Sequence, residues 1–131
     1  MKPTMQEKQL YEYAVIRVVP RVERDEFLNV GLILYSAKQK YLKAKFELNE
    51  PRLKAAFGEL DFSELEENLR SFQRISEGGK DGGPIAQLDL PSRFRWLTAK
   101  RSTVVQTSRV CTGLTLDAEI TFDKLYKEQI L

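Results

Sequence analysis

Two apolar, β-branched runs joined by a short charged connector constrain this chain more than any other feature. They are Y-A-V-I-R-V-V at 13–19 and L-N-V-G-L-I-L-Y at 28–35. The connector, Pro20 to Phe27, is eight residues long, shorter than the dozen or so that a parallel crossover requires, so the two strands are expected to run antiparallel. In the first, read from Tyr11 to Val19, residues Tyr11, Tyr13, Val15, Arg17 and Val19 share one face, and Glu12, Ala14, Ile16 and Val18 share the other. The second places Leu28, Val30, Leu32 and Leu34 opposite Asn29, Gly31, Ile33 and Tyr35. Both strands are apolar on both faces, which suits the interior of a sheet. Pro20 ends the first because it cannot donate to the ladder, and Arg24 to Phe27 is read as a single helical turn.

Downstream the pattern changes. Residues 41–48 alternate cleanly, with Leu42, Ala44, Phe46 and Leu48 inward and Tyr41, Lys43, Lys45 and Glu47 outward, as in an edge strand whose lysines discourage pairing with another chain. Asn49-Glu50-Pro51 opens a short helix that stops near Gly58. Asp61 and Glu64 start a longer one with the apolar stripe Phe62, Leu65, Leu69, Phe72 and Ile75. Gly78-Gly79 ends it. The glycine-rich stretch that follows lacks the spacing of a phosphate-binding loop and reads as a flexible surface loop. A helix from Pro91 to Thr98, a β-prone run at 103–107, a turn at Gly113 and a final helix from Thr121 complete the chain. The expected fold is therefore α+β: an antiparallel sheet of about four strands with helices packed on one face. Residues 1–10 are a loose lead-in, and 11–131 form one domain.

Composition excludes several chemistries. The 131 residues include no histidine and one cysteine, Cys111. That removes the usual neutral-pH general base, the Ser-His and Cys-His nucleophile pairs, nearly all zinc sites and any internal disulfide. No metal and no cofactor is expected. No apolar run approaches the roughly 20 residues of a membrane-spanning helix, and the N-terminus lacks the apolar core of a secretory signal, so a cytoplasmic location away from membranes is expected. Residues 91–116 carry five basic groups and no acidic one, an excess that speaks to partners rather than to fold.

Four groups of residues stand out as candidate sites. Arg17 projects from an apolar strand face, an expensive place for an unpaired charge. It is either ion-paired with Asp25, Glu26 or Glu47, or offers its planar fork to a carboxylate or phosphate. Asn29 and Gly31 share a strand face, where the missing side chain is filled by a large neighbour or leaves room for a ligand. Arg21, Arg24, Asp25 and Glu26 lie on the first connector, with Glu26 the one candidate general base if burial were to raise its pKa. Lys100-Arg101-Ser102 sits inside the acid-free segment, either paired with Glu64, Glu66 and Glu67 or forming an anion site. Cys111 reads as a small residue beside a turn. Nucleic acid is the weaker choice of partner, because the aromatics that could stack bases are equally needed for the core.

The stretches at 13–35, at 93–108 (R-F-R-W-L-T-A-K-R-S-T-V-V-Q-T-S) and at 111–114 (C-T-G-L) resemble the bacterial family of unknown function DUF3037. The resemblance implies a histidine in relatives at the position of Cys111, which would leave this chain without a catalytic histidine of theirs. The family is also associated with genes lying beside kinases resembling the HipA toxin, which suggests a regulatory partner role.

Two functions are carried forward. In the first, the chain is a non-catalytic binding or regulatory domain in which Arg17, Arg24, Asn29, Gly31, Lys100, Arg101 and Ser102 converge on one anion site. In the second, it is a small histidine-free enzyme acting on a phosphorylated or carboxylated substrate, with Glu26 as its base.

Overall fold

The structure, a computed structural model, describes residues 7–101 and 103–131. The elements are β1 (Gln9–Val18), a 3-10 turn (Val22–Arg24), β2 (Leu28–Ser36), β3 (Tyr41–Phe46), α1 (Glu50–Phe57), α2 (Phe62–Glu77), a second 3-10 turn (Lys80–Gly82), α3 (Gly83–Ala86), α4 (Leu90–Leu97), β4 (Val105–Thr107), β5 (Cys111–Thr115) and α5 (Ala118–Gln129). The fold is α+β on an open antiparallel sheet, and β1 and β2 are antiparallel as expected.

β1 is the centre. β2 and then β3 extend the sheet from one of its edges, while β4 and β5 share the other, β4 against Ile16–Val18 and β5 against Gln9–Tyr13. Between them Ser108 keeps the contact with β1. Its N–H donates to the Val15 carbonyl at 2.8 Å, and its Oγ accepts from the Val15 N–H at 2.8 Å. The segment 105–115 thus runs along one edge of β1 with an interruption at 108–110.

The expected sheet of about four strands is the path β3-β2-β1-β4, and Cys111–Thr115, expected as a turn, pairs with β1 as a fifth. C-T-G-L-T carries little apolar alternation, and its pairing with β1 outweighs that weak local signal. β1 starts at Gln9, inside the expected lead-in, and α5 starts at Ala118 rather than Thr121, because Asp117 caps it by accepting from the Glu119 and Ile120 N–H groups. The helical turn expected at Arg24–Phe27 lies earlier, at Val22–Arg24. The loop expected after Gly79 contains a 3-10 turn and α3.

Helices cover both faces of the sheet. Ala14, Ile16, Val18, Ile33 and Tyr35 face α1–α4, where Leu53, Leu65, Leu69, Phe72, Phe94 and Leu97 complete a core. The α2 stripe that buries there is the expected one, opened by the Asp61 cap and closed by Gly78 in the left-handed conformation at φ 77°. The alternate residues Val15, Leu32 and Leu34 pack against Ala118, Phe122, Tyr126 and Ile130 of the α5 segment. Helices on one face therefore describe α1–α4, and α5 adds cover on the other. The outward face of β3 meets α5 as well: Tyr41 Oη and Lys43 Nζ donate to the Glu119 carboxylate at 3.0 and 2.9 Å.

Candidate functional site

A β-bulge aims the first candidate residues. Ile16 pairs with Gly31 and Arg17 pairs with Asn29, so Val30 is an extra residue on β2. Its carbonyl accepts the Glu47 N–H at 2.8 Å. Arg17 and Asn29 thereby come side by side on the α5 face, at the end of β1 that α5 leaves uncovered.

There they line a groove of about 470 Å³ whose walls also include Tyr13, Ser108, Arg109 and Cys111, with Gln129 of α5 opposite. No carboxylate lines it among the described residues. The Arg17 guanidinium lies 3.9 Å from the centre of the Phe27 ring, a cation–π contact that holds its plane in place. Among the described residues Arg17 forms no ion pair, and its Nε is buried without an acceptor. The internal ion pair that would have explained this residue is absent there: Glu26 is taken by Arg24, with Nε and Oε1 3.0 Å apart. Asn29 donates through Nδ2 to the Gln129 carbonyl at 3.4 Å, while its Oδ1 is buried without a donor. Tyr13 pairs with Cys111 across the strands, and burial first, then the neighbouring thiol, pushes the Tyr13 phenol above its usual pKa.

The single anion site expected from sequence divides into separate places. Arg24 and Glu26 are exposed at a recess of about 200 Å³ beside Pro20, Arg21 and Phe57. Arg101 belongs to the opposite face of the sheet from Arg17. Its guanidinium sits over the rings of Trp96 and Phe72, at 4.8 and 5.3 Å, and donates to the Trp96 carbonyl. Lys100 is exposed beside it, and Ser102 lies outside the described residues. No ion pair among the described residues joins Arg101 to the acidic helix, where Glu66 holds Arg70 and Glu67 holds Arg74. Gly31 faces β3: a Cβ there would run into the Lys45 carbonyl oxygen and lie 3.0 Å from Phe46 Cβ. The neighbour that fills its space is strand backbone.

Arg17 and Asn29 are thus brought together, and Arg24, Gly31, Lys100 and Arg101 are not. The groove gains Arg109, Ser108, Tyr13 and Cys111, which sequence reasoning had not gathered into a site. The signal for Arg109 was the acid-free segment itself. The signal for Cys111 was hidden, because its place opposite Tyr13 depends on reading β5 as a strand. Among the described residues no cluster of ligating side chains could hold a metal ion, and no helix is long and apolar enough to cross a membrane.

The model of a protein family described as a protein of unknown function, DUF3037, matches residues 13–130. The chain belongs to the DUF3037 family. The match runs from within β1 to the end of α5 and so takes in residues of all five strands and both groups of helices. No curated protein and no solved structure matches the chain.

Proposed function

We propose that this DUF3037 protein is a binding domain that recognises an anionic group, a carboxylate or phosphate, through Arg17 and Arg109. One observation carries the reading: a partly buried guanidinium, fixed against Phe27 and with no carboxylate partner among the described residues, opens into a groove that none of their acids lines. Placing an unpaired cation among apolar strand residues is costly, and a bound oxyanion would offset that cost through the fork geometry of arginine. Arg109 on the rim adds a second charge, and Tyr13 adds a hydroxyl. The enzymatic alternative has no comparable support, since Glu26 is exposed and tied to Arg24.

Thermal unfolding in inorganic phosphate at low ionic strength tests the proposal. Phosphate at ten times its dissociation constant should stabilise the fold by about 1.4 kcal/mol, a rise of a few degrees in Tm. That rise should shrink with added sodium chloride and disappear in Arg17→Met and in Arg109→Ala. Arg109 is exposed, so its removal leaves the fold intact and keeps the test independent of any packing lost with Arg17. An equal rise in wild type and Arg109→Ala would overturn the assignment.

A further inference from the structure

The second arginine that stacks on aromatic rings, on the other face of the sheet, has no part in the Arg17 groove. Arg101 lies in a groove of about 510 Å³ between α2, the end of α4 and the start of β4, a volume within the usual range for small-molecule sites. Its composition divides into two parts. Trp96, Phe72 and Val105 supply an apolar wall; Arg101 and Lys100 supply positive charge, with Ser71 as a neutral donor.

The two parts meet where the Arg101 guanidinium lies over the Trp96 and Phe72 rings, and that contact leaves both the indole and the cation open to the groove. Trp96 is the chain's only tryptophan and remains 40% exposed, whereas Phe94 from the same helix is fully buried. Arg101 is bound to a single backbone carbonyl, and no carboxylate lines the groove among the described residues. Burial there lowers its pKa, so the charged form is held at a cost that an arriving anion would reduce. A flat ring can stack on an indole or on a guanidinium plane. Two adjacent cations match the double charge of a phosphate monoester better than the single charge of a carboxylate.

We infer that this groove binds a nucleoside monophosphate, its base against Trp96 and the Arg101 plane and its phosphate between Arg101 and Lys100. The inference stands apart from the Arg17 groove, which among the described residues has neither an indole nor a lysine.

Trp96 makes the experiment direct, because the whole tryptophan emission of the intact protein reports on this groove. Titration with adenosine 5′-monophosphate at low salt should quench it saturably. Adenosine, which lacks the phosphate, and ribose 5-phosphate, which lacks the base, should each bind at least about tenfold more weakly, the loss of roughly one strong contact. Lys100→Ala and Arg101→Ala should weaken the nucleotide by several-fold or more, and Arg17→Met should leave it unchanged. Lys100 is exposed, so that variant reads the charge requirement even if Arg101→Ala unfolds. Absence of saturable quenching at millimolar nucleotide, equal binding of adenosine, or indifference to Lys100→Ala would each overturn the inference. Loss of quenching in Arg17→Met would also overturn it, by moving the ligand to the other face.

Discussion

On one face of the sheet four helices close over Ala14, Ile16 and Val18, none more than 1% exposed. On the other, α5 alone covers β2 and leaves the end of β1 open at Arg17. The difference follows from supply. The first face receives α1 to α4, while the second receives one helix of 12 residues, about 18 Å long. A helix of that length cannot shield a five-stranded sheet. The corner left uncovered there holds the polar side chains Arg17, Asn29 and Ser108. Both faces hold a buried core, and the corner of the half-covered face is where the proposed anion site lies.

The largest effect that could break this comparison concerns the two cores. Phe94 and Phe122 are both fully buried, one on each face. Each Phe→Ala change should cost about 3–5 kcal/mol, measured by urea unfolding. A much smaller loss for Phe122→Ala would mean that α5 is a loosely held cover rather than part of the folded core.

Gly31→Ala sharpens the comparison at the bulge. The added Cβ meets strand backbone at Lys45, which cannot swing aside, so a loss of about 1–3 kcal/mol is expected from overpacking. A neutral result, with binding at the Arg17 groove reduced, would return Gly31 to the ligand side. Smaller again is Asp117→Ala, which removes the cap of α5 and should cost about 1 kcal/mol by the same unfolding measurement.

The mildest effect depends on pH. Glu119 ties α5 to β3, and its carboxyl is held below the usual carboxylate range mainly by the hydrogen bond from Lys43, with Tyr41 adding to it against the opposing effect of burial. A depressed folded pKa means that this stabilisation is present above the unfolded value of about 4.5 and is lost as pH falls through the folded value. The Tm of wild type should therefore fall more steeply on acidification than that of Glu119→Gln, the two converging in acid. Parallel curves would show that the contact contributes nothing, as many exposed pairs do.

How much of this could be read from sequence depended on where the information lay. The antiparallel pairing of β1 and β2 was legible because an eight-residue connector leaves no other choice, and α2 was legible because Asp61, Gly78 and an unbroken apolar stripe agree. β5 was not, since Cys111-Thr112-Gly113-Leu114-Thr115 has little strand character until β1 is beside it. The site failed for a related reason. Arg17 and Arg101 look alike in sequence, each a cation next to an apolar run, and which face each one occupies is fixed by tertiary placement. Arg17 stands out in sequence as an arginine on an apolar strand face, while Arg109, which lines the same groove, comes from the interruption between β4 and β5.

The central claim is that Arg17 and Arg109 form one anion site on the half-covered face. Heteronuclear NMR of the arginine Nε–Hε resonances during addition of inorganic phosphate at low salt tests it most directly. Arg17 and Arg109 should shift together and saturate at one common dissociation constant, while Arg24 and Arg70, already paired to Glu26 and Glu66, should stay still. Small, unsaturating shifts spread evenly over all arginines, with Arg17 no different from Arg70, would contradict it.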